Sequence, residues 1–155
     1  MTDIDFRADS ASDFEKSRRC NLFDPITDEP IIDTDGKQAY VMLFAGQSEV
    51  FQRRAFKIQA RIKARAKRTG KGEATFDEQR QFESEIYAAA FDDDWHICRK
   101  GTMKDPDGED MWDRTWTKID APCTPENAAK WIIANPLYKA QISRMTDDIQ
   151  SYVAD

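Results

Sequence analysis

His96 and Cys98 stand two residues apart, and they are the only histidine–cysteine pair that the sequence brings close. On alternate positions of a strand both side chains share one face, where an imidazole could act as base to a thiol. That chemistry needs a third group to orient the imidazole, and no sequence neighbour supplies one. A zinc centre wants four ligands with paired spacings. The chain has a single histidine, and its three cysteines, Cys20, Cys98 and Cys123, are scattered, with no Cys-x-x-Cys. No metal and no cofactor are expected, and the odd, dispersed thiols suit a reducing compartment.

Two further stretches imitate ligand loops. Asp33-Thr34-Asp35-Gly36 and Asp105-Pro106-Asp107-Gly108 open like calcium loops, which need a glutamate at the twelfth position between two helices. Phe44 and Trp116 occupy that position, so both stretches are read as turns, with glycine where positive φ is required. Gly70-Lys71-Gly72 lacks the second half of a phosphate loop. Nothing selects a catalytic pair from the 29 acidic residues. No catalytic residue is assigned, and the chain is read as a non-enzyme.

Charge is the strongest feature. Between Glu49 and Lys71 nine basic residues face one acid, a local charge of +8. The whole chain has 23 basic and 29 acidic residues, so the remainder holds 14 and 28 and carries −14. A basic rod in an acidic protein can grip an anionic partner. Dense Lys and Arg suit phosphates. The acidic remainder repels nucleic acid, however, and no nucleic-acid fold signature accompanies the rod. An acidic protein partner or self-association is preferred. The partner-binding candidates are Arg53, Arg54, Lys57, Arg61, Lys63, Arg65, Lys67 and Arg68, together with an apolar seam of Tyr138, Ile142, Met145 and Ile149.

The elements that must hold these residues follow from period and punctuation. Residues 1–19 are acidic and aperiodic and are expected to form a flexible arm. Residues 20–155 are expected to form one domain. Ile31-Ile32 and the run from Tyr40 to Phe44, joined across Asp35-Gly36, predict a β-hairpin. Ser48 caps a helix to about Arg68, whose apolar stripe is Phe51, Ala55, Ile58, Ile62 and Ala66. Thr75 and Glu78 make a capping box for a second helix to about Phe91. Its acids Glu78, Glu83 and Glu85 could neutralise the first helix if the two lie antiparallel. Asp107-Gly108 marks a second hairpin. Thr124-Pro125-Glu126 starts a third helix to about Ala134. Asn135-Pro136 breaks it before a last helix towards Val153. Trp95, Trp112, Trp116 and Trp131 are read as core or rim. The expected fold is α+β and mostly helical, a small N-terminal β-hairpin packed on about four helices.

No apolar run reaches the ~20 residues that cross a bilayer, and the acidic start is unlike a secretory signal. A cytoplasmic protein with no membrane contact is expected.

The order of these features resembles the tail assembly chaperone-type proteins of long-tailed bacteriophages. The residues that carry it are Asp24-Pro25-Ile26-Thr27-Asp28-Glu29-Pro30, the expected hairpin, and Gly46-Gln47-Ser48-Glu49-Val50-Phe51-Gln52-Arg53 at the start of a long helix. Trp95, Pro122-Cys123-Thr124-Pro125-Glu126-Asn127-Ala128, Asn135-Pro136 and the last amphipathic helix continue it, so it spans Leu22 to about Tyr152. The resemblance implies a non-catalytic protein that coats the tape-measure protein in the host cytoplasm and keeps its helices soluble during tail morphogenesis. It supplies no functional residue to carry over, and the dense basic run from Arg53 to Lys71 departs from it. The alternatives are a structural virion protein retained in the particle and a nucleic-acid-binding accessory protein using residues 49–71. A homo-oligomer remains open.

Overall fold

The computed structural model of the chain describes residues 15–70, 74–104, 107, 110–148 and 151–152. Strand β2 (Tyr40–Leu43) is the centre of a three-stranded antiparallel sheet, flanked by β1 (Arg18–Asn21) and β3 (Phe91–His96). Cys20 pairs with Val41, and Val41 with Trp95. Period-two alternation buries Val41 and Leu43 on one face. A second sheet is the hairpin of β4 (Cys98–Lys104) and β5 (Asp110–Lys118), in which Lys104 pairs with Asp110. Of the expected turn pair Asp107-Gly108, which lies between these strands in sequence, Gly108 falls outside the described residues. The fold class is α+β.

The first expected hairpin takes a different form. Gly36 adopts φ 78° and Asp33 N–H donates to Lys37 O at 2.9 Å, so the Asp-Gly turn closes. Ile31-Ile32 does not become a strand, and Ile32 makes only an isolated bridge with Gln38. Pro30, which lacks a donor, precedes a segment too short to propagate a ladder. The long partners of β2 come instead from both flanks. One of them, β1, begins within the segment expected as an arm. Residues 1–14 of that arm lie outside the described residues.

The helices begin where their caps predict. Helix α1 (Glu49–Thr69) follows Ser48, whose Oγ accepts Phe51 N–H at 3.2 Å, and ends on left-handed Gly70. Helix α2 (Phe76–Ala88) follows Thr75 and stops three residues short of expectation, because Phe91 already belongs to β3. Helix α3 (Pro125–Ala134) follows Thr124. A 3₁₀ turn at Pro136–Tyr138 leads into α4 (Lys139–Asp147), shorter than the helix expected to run towards Val153. No described helix is long and apolar enough to cross a membrane.

The core gathers Leu22, Ile31, Val41, Leu43, Ile97, Ala128, Ile132 and Ile142 around an aromatic cluster. Trp131 lies 6.1 Å from Phe91, 6.0 Å from Trp95 and 4.8 Å from Tyr138 between ring centroids. Trp95 Nε1–H satisfies itself on Ala121 O at 2.8 Å. Trp116 is half-buried, and the side chain of Trp112 lies outside the described residues. The irregular N-terminal loop is pinned by Gln141, which accepts Phe23 N–H at 3.0 Å and donates to Phe23 O at 2.6 Å.

Two residues of the apolar seam expected to meet a partner lie in the core instead. Tyr138 and Ile142 are 5% and 1% exposed and belong to the core. Met145 is half-buried and packs on the same core. Ile149 lies outside the described residues. The three- and four-residue period marks an apolar face, and at Tyr138 and Ile142 that face packs into the core, with Trp131 of α3 stacked on Tyr138.

Candidate functional site

Helix α1 stands on a narrow base. Ala55 is its one buried residue, and Phe51, Ile58 and Ile62 are half-buried, while Ala66 is exposed. Its N-terminus is held twice: by the Ser48 cap, and by Glu15, whose carboxylate accepts the N–H groups of Glu49 (2.9 Å) and Val50 (3.3 Å). A carboxylate is favoured there by the orphan donors and the helix dipole.

The cations of α1 divide into two sets. Arg54 turns inward, donating to Phe91 O at 2.9 Å, with its guanidinium 5.2 Å from the Phe44 ring centroid. Arg61 pairs with Glu85 at 2.5 Å, and Arg65 pairs with Glu78. The pairs run 61 with 85 and 65 with 78, so α1 and α2 are antiparallel, as the neutralisation idea required. Glu83 leaves that set and pairs with Lys139 at 2.8 Å. Arg53 bonds Glu49 one turn back at 2.5 Å. Among the described residues no counter-ion stands against Lys57, Lys63, Lys67 or Arg68. The planar guanidinium fork thus ties α1 to the body, while mainly the lysines face water. Burial of Glu78 would raise its pKa, but Arg65 and the Thr75 cap outweigh that and hold it low.

Phe56, Ala60, Lys63 and Lys67 recur at helical spacing on a face turned away from the apolar stripe of Phe51, Ala55, Ile58 and Ile62. Phe56 is 71% exposed. The outward ridge of α1 is therefore one aromatic anchor beside two unpaired lysines. The exposed ring can anchor an interface, and the lysines beside it would favour an acidic partner.

Beside α1 a groove of about 680 Å³ opens between α1, the end of α2, the start of β3 and the start of α3. Lys57 and Arg61 form one wall, Asp92, Asp93 and Glu126 the other, and Ala88, Phe91 and Ala129 lie between. Cys123 lines its edge. Burial, then the charges of Asp92, Asp93 and Asp94, push that thiol up to about 12. Its Sγ donates to Asp92 O at 3.1 Å. A neutral, hydrogen-bonded thiol is a poor nucleophile.

Sequence reasoning missed one group. His96 Nε2 lies 2.6 Å from Asp33 Oδ2, within a cluster that includes Cys98. The third group absent from the local sequence arrives from a turn 63 residues earlier. Oδ1 of Asp33 also accepts the N–H groups of Asp35 and Lys37, each at 2.9 Å. The Lys37 N–H first, then His96 and Asp35 against the opposing effect of burial, hold the carboxyl below its ordinary range. With Asp33 ionised, the imidazole N–H is the donor. Tyr40 stacks on His96 at 6.2 Å. Burial, with the Asp33 charge second, raises the Cys98 thiol to about 11. Burial raises Cys20 likewise to about 11. None of the three thiols is poised as a thiolate.

The chain matches no protein-family model, no curated protein and no solved structure.

Proposed function

We propose that the protein is a non-catalytic assembly chaperone or adaptor of phage tail morphogenesis, and that the outward ridge of α1 binds the tape-measure protein in the host cytoplasm. The observation that carries the reading is the ridge itself: Phe56 exposed beside Lys63 and Lys67, with Lys57 and Arg68 at its flank and no counter-ion on any of the four cations among the described residues. A helical partner with acidic residues flanking an apolar stripe would cover the phenyl ring and neutralise the lysines together. The ordered run from Asp24 through Ser48 to Asn135-Pro136 supports the family reading, and the raised thiols support a non-catalytic one. The groove shares only Lys57 with the flank of the ridge.

The test is co-expression with the tape-measure protein, followed by purification on this chain. Soluble co-purification, together with absence of this chain from purified particles, is the expected result. Presence in particles supports a structural virion protein instead. The unpaired cations also favour one second reading, nucleic-acid binding. That reading requires steeply salt-dependent DNA binding that disappears when Lys63, Lys67 and Arg68 are changed to Glu.

A further inference from the structure

Asp33, His96 and Cys98 come from three places: a turn, the end of β3 and the start of β4. A carboxylate oxygen, an imidazole nitrogen and the Cys98 sulfur lie within 4.8 Å of one another, and Cys98 belongs to the apolar core. Asp33 and His96 bond each other, while Cys98 Sγ makes no hydrogen bond among the described residues. Cys98 packs in the apolar core, and its sulfur also lies beside a carboxylate and an imidazole with which it can share a cation.

The geometry points to a binding site for a thiophilic divalent cation of the zinc class, held by Asp33, His96 and Cys98. Metal–ligand bonds of ~2.0–2.3 Å place the edges of a zinc tetrahedron at about 3.3–3.8 Å, so the donors need shifts of about 1 Å. The Asp33–His96 contact opens and the sulfur approaches. The charges match: a thiolate, a carboxylate and a neutral imidazole carry −2 against +2, so the buried site ends uncharged. The Cys98 S–H bond breaks, its electron pair goes to the metal, and the proton leaves to solvent. To ligate through Nε2, the imidazole moves its one proton from Nε2 to Nδ1 by exchange with solvent, so the ring stays neutral. Water takes the fourth position through the His96 edge, where the side chain is 10% exposed against 2% for Asp33. Mixed sulfur, nitrogen and oxygen donors select zinc or cobalt over magnesium or calcium, which want oxygen alone. The site is independent of the α1 ridge, so it stands whether or not the tail-assembly reading does.

His96 is the only histidine, so one imidazole signal reports on the site. Zinc is added to the purified, metal-free full chain and that signal is followed by NMR, with cobalt absorption recorded in parallel. The expected result is an imidazole shift that saturates at one zinc per chain, ignores magnesium, and accompanies a thiolate-to-cobalt charge-transfer band. Both persist in Cys123→Ser. In folded Cys98→Ser the band is lost and zinc affinity falls at least tenfold. An unmoved imidazole signal under excess zinc, or wild-type protein without the cobalt–thiolate band, overturns the site, and neither result depends on a variant folding.

Discussion

Oδ2 of Asp33 and Nε2 of His96 meet at 2.6 Å across 63 residues of sequence, and this contact ties the N-terminal turn to the junction of β3 and β4. The same carboxylate holds its own turn closed through Asp35 and Lys37. One side chain therefore fixes both a local loop and its place on the sheet.

Asp33→Ala removes both functions and leaves two backbone donors and an imidazole without their acceptor. The denaturation midpoint falls, and it falls further than in His96→Ala, which spares the turn. Chemical denaturation of both variants checks the order; equal losses would mean that the turn contributes nothing.

Stability depends on pH at both ends. Asp33 and Asp24 have pKa values below their ordinary 3.8 in the folded chain. Burial opposes the shift at Asp24, but Ile26 N–H and Lys100 outweigh it. Their contribution is present above the unfolded value and is lost as pH falls through the lower folded one. The thiols behave oppositely. Cys20 and Cys98 rise from 9.0 to about 11, so their contribution is full below pH 9 and lost as pH rises towards 11. Urea midpoints across pH 2–11 should fall at both ends, with the alkaline loss reduced in Cys20→Ala.

Gln141→Ala leaves Phe23 N–H and C=O unbonded in a part-buried place. A loss of about 1–3 kcal/mol is expected. Hydrogen exchange should show the loop at residues 22–39 opening first, with α1 unaffected. Uniform loosening of both would contradict the local role.

Ile142→Ala removes a side chain that is 1% exposed and should cost about 2–5 kcal/mol. Because this seam is core, partner binding per folded molecule stays unchanged. A binding loss beyond the folded fraction would return Ile142 to the interface.

Arg61 and Glu85 form an ion pair that is 63% and 24% exposed. Glu85→Gln should therefore cost only ~0.2–1 kcal/mol for the lost pair. High salt should shrink the difference from wild type; a salt-independent loss would point to packing instead.

Local chemistry was legible in the sequence and non-local chemistry was not. Ser48, Thr75 and Thr124 each placed a helix start to the residue, because a cap is settled within four residues. Gly36 placed its turn for the same reason. Strand β1 carries Arg18 and Arg19, and β3 carries Asp92, Asp93 and Asp94. Such residues have no strand preference, and only pairing with β2 makes them strands. The seam at Tyr138 and Ile142 was visible as a period, but a period does not say which surface covers it. The charge of α1 was visible, whereas its division into tied arginines and mainly free lysines depends on where α2 lies. Asp33 could not be joined to His96 without the fold.

The most direct measurement compares wild-type protein with Phe56→Ala/Lys63→Glu/Lys67→Glu in co-purification with the tape-measure protein. Phe56 is 71% exposed and both lysines are exposed, so the variant should unfold near the wild-type midpoint. Partner recovery is expected to fall at least tenfold at equal expression. Undiminished recovery by the folded variant would contradict the assignment of the α1 ridge as the partner-binding face.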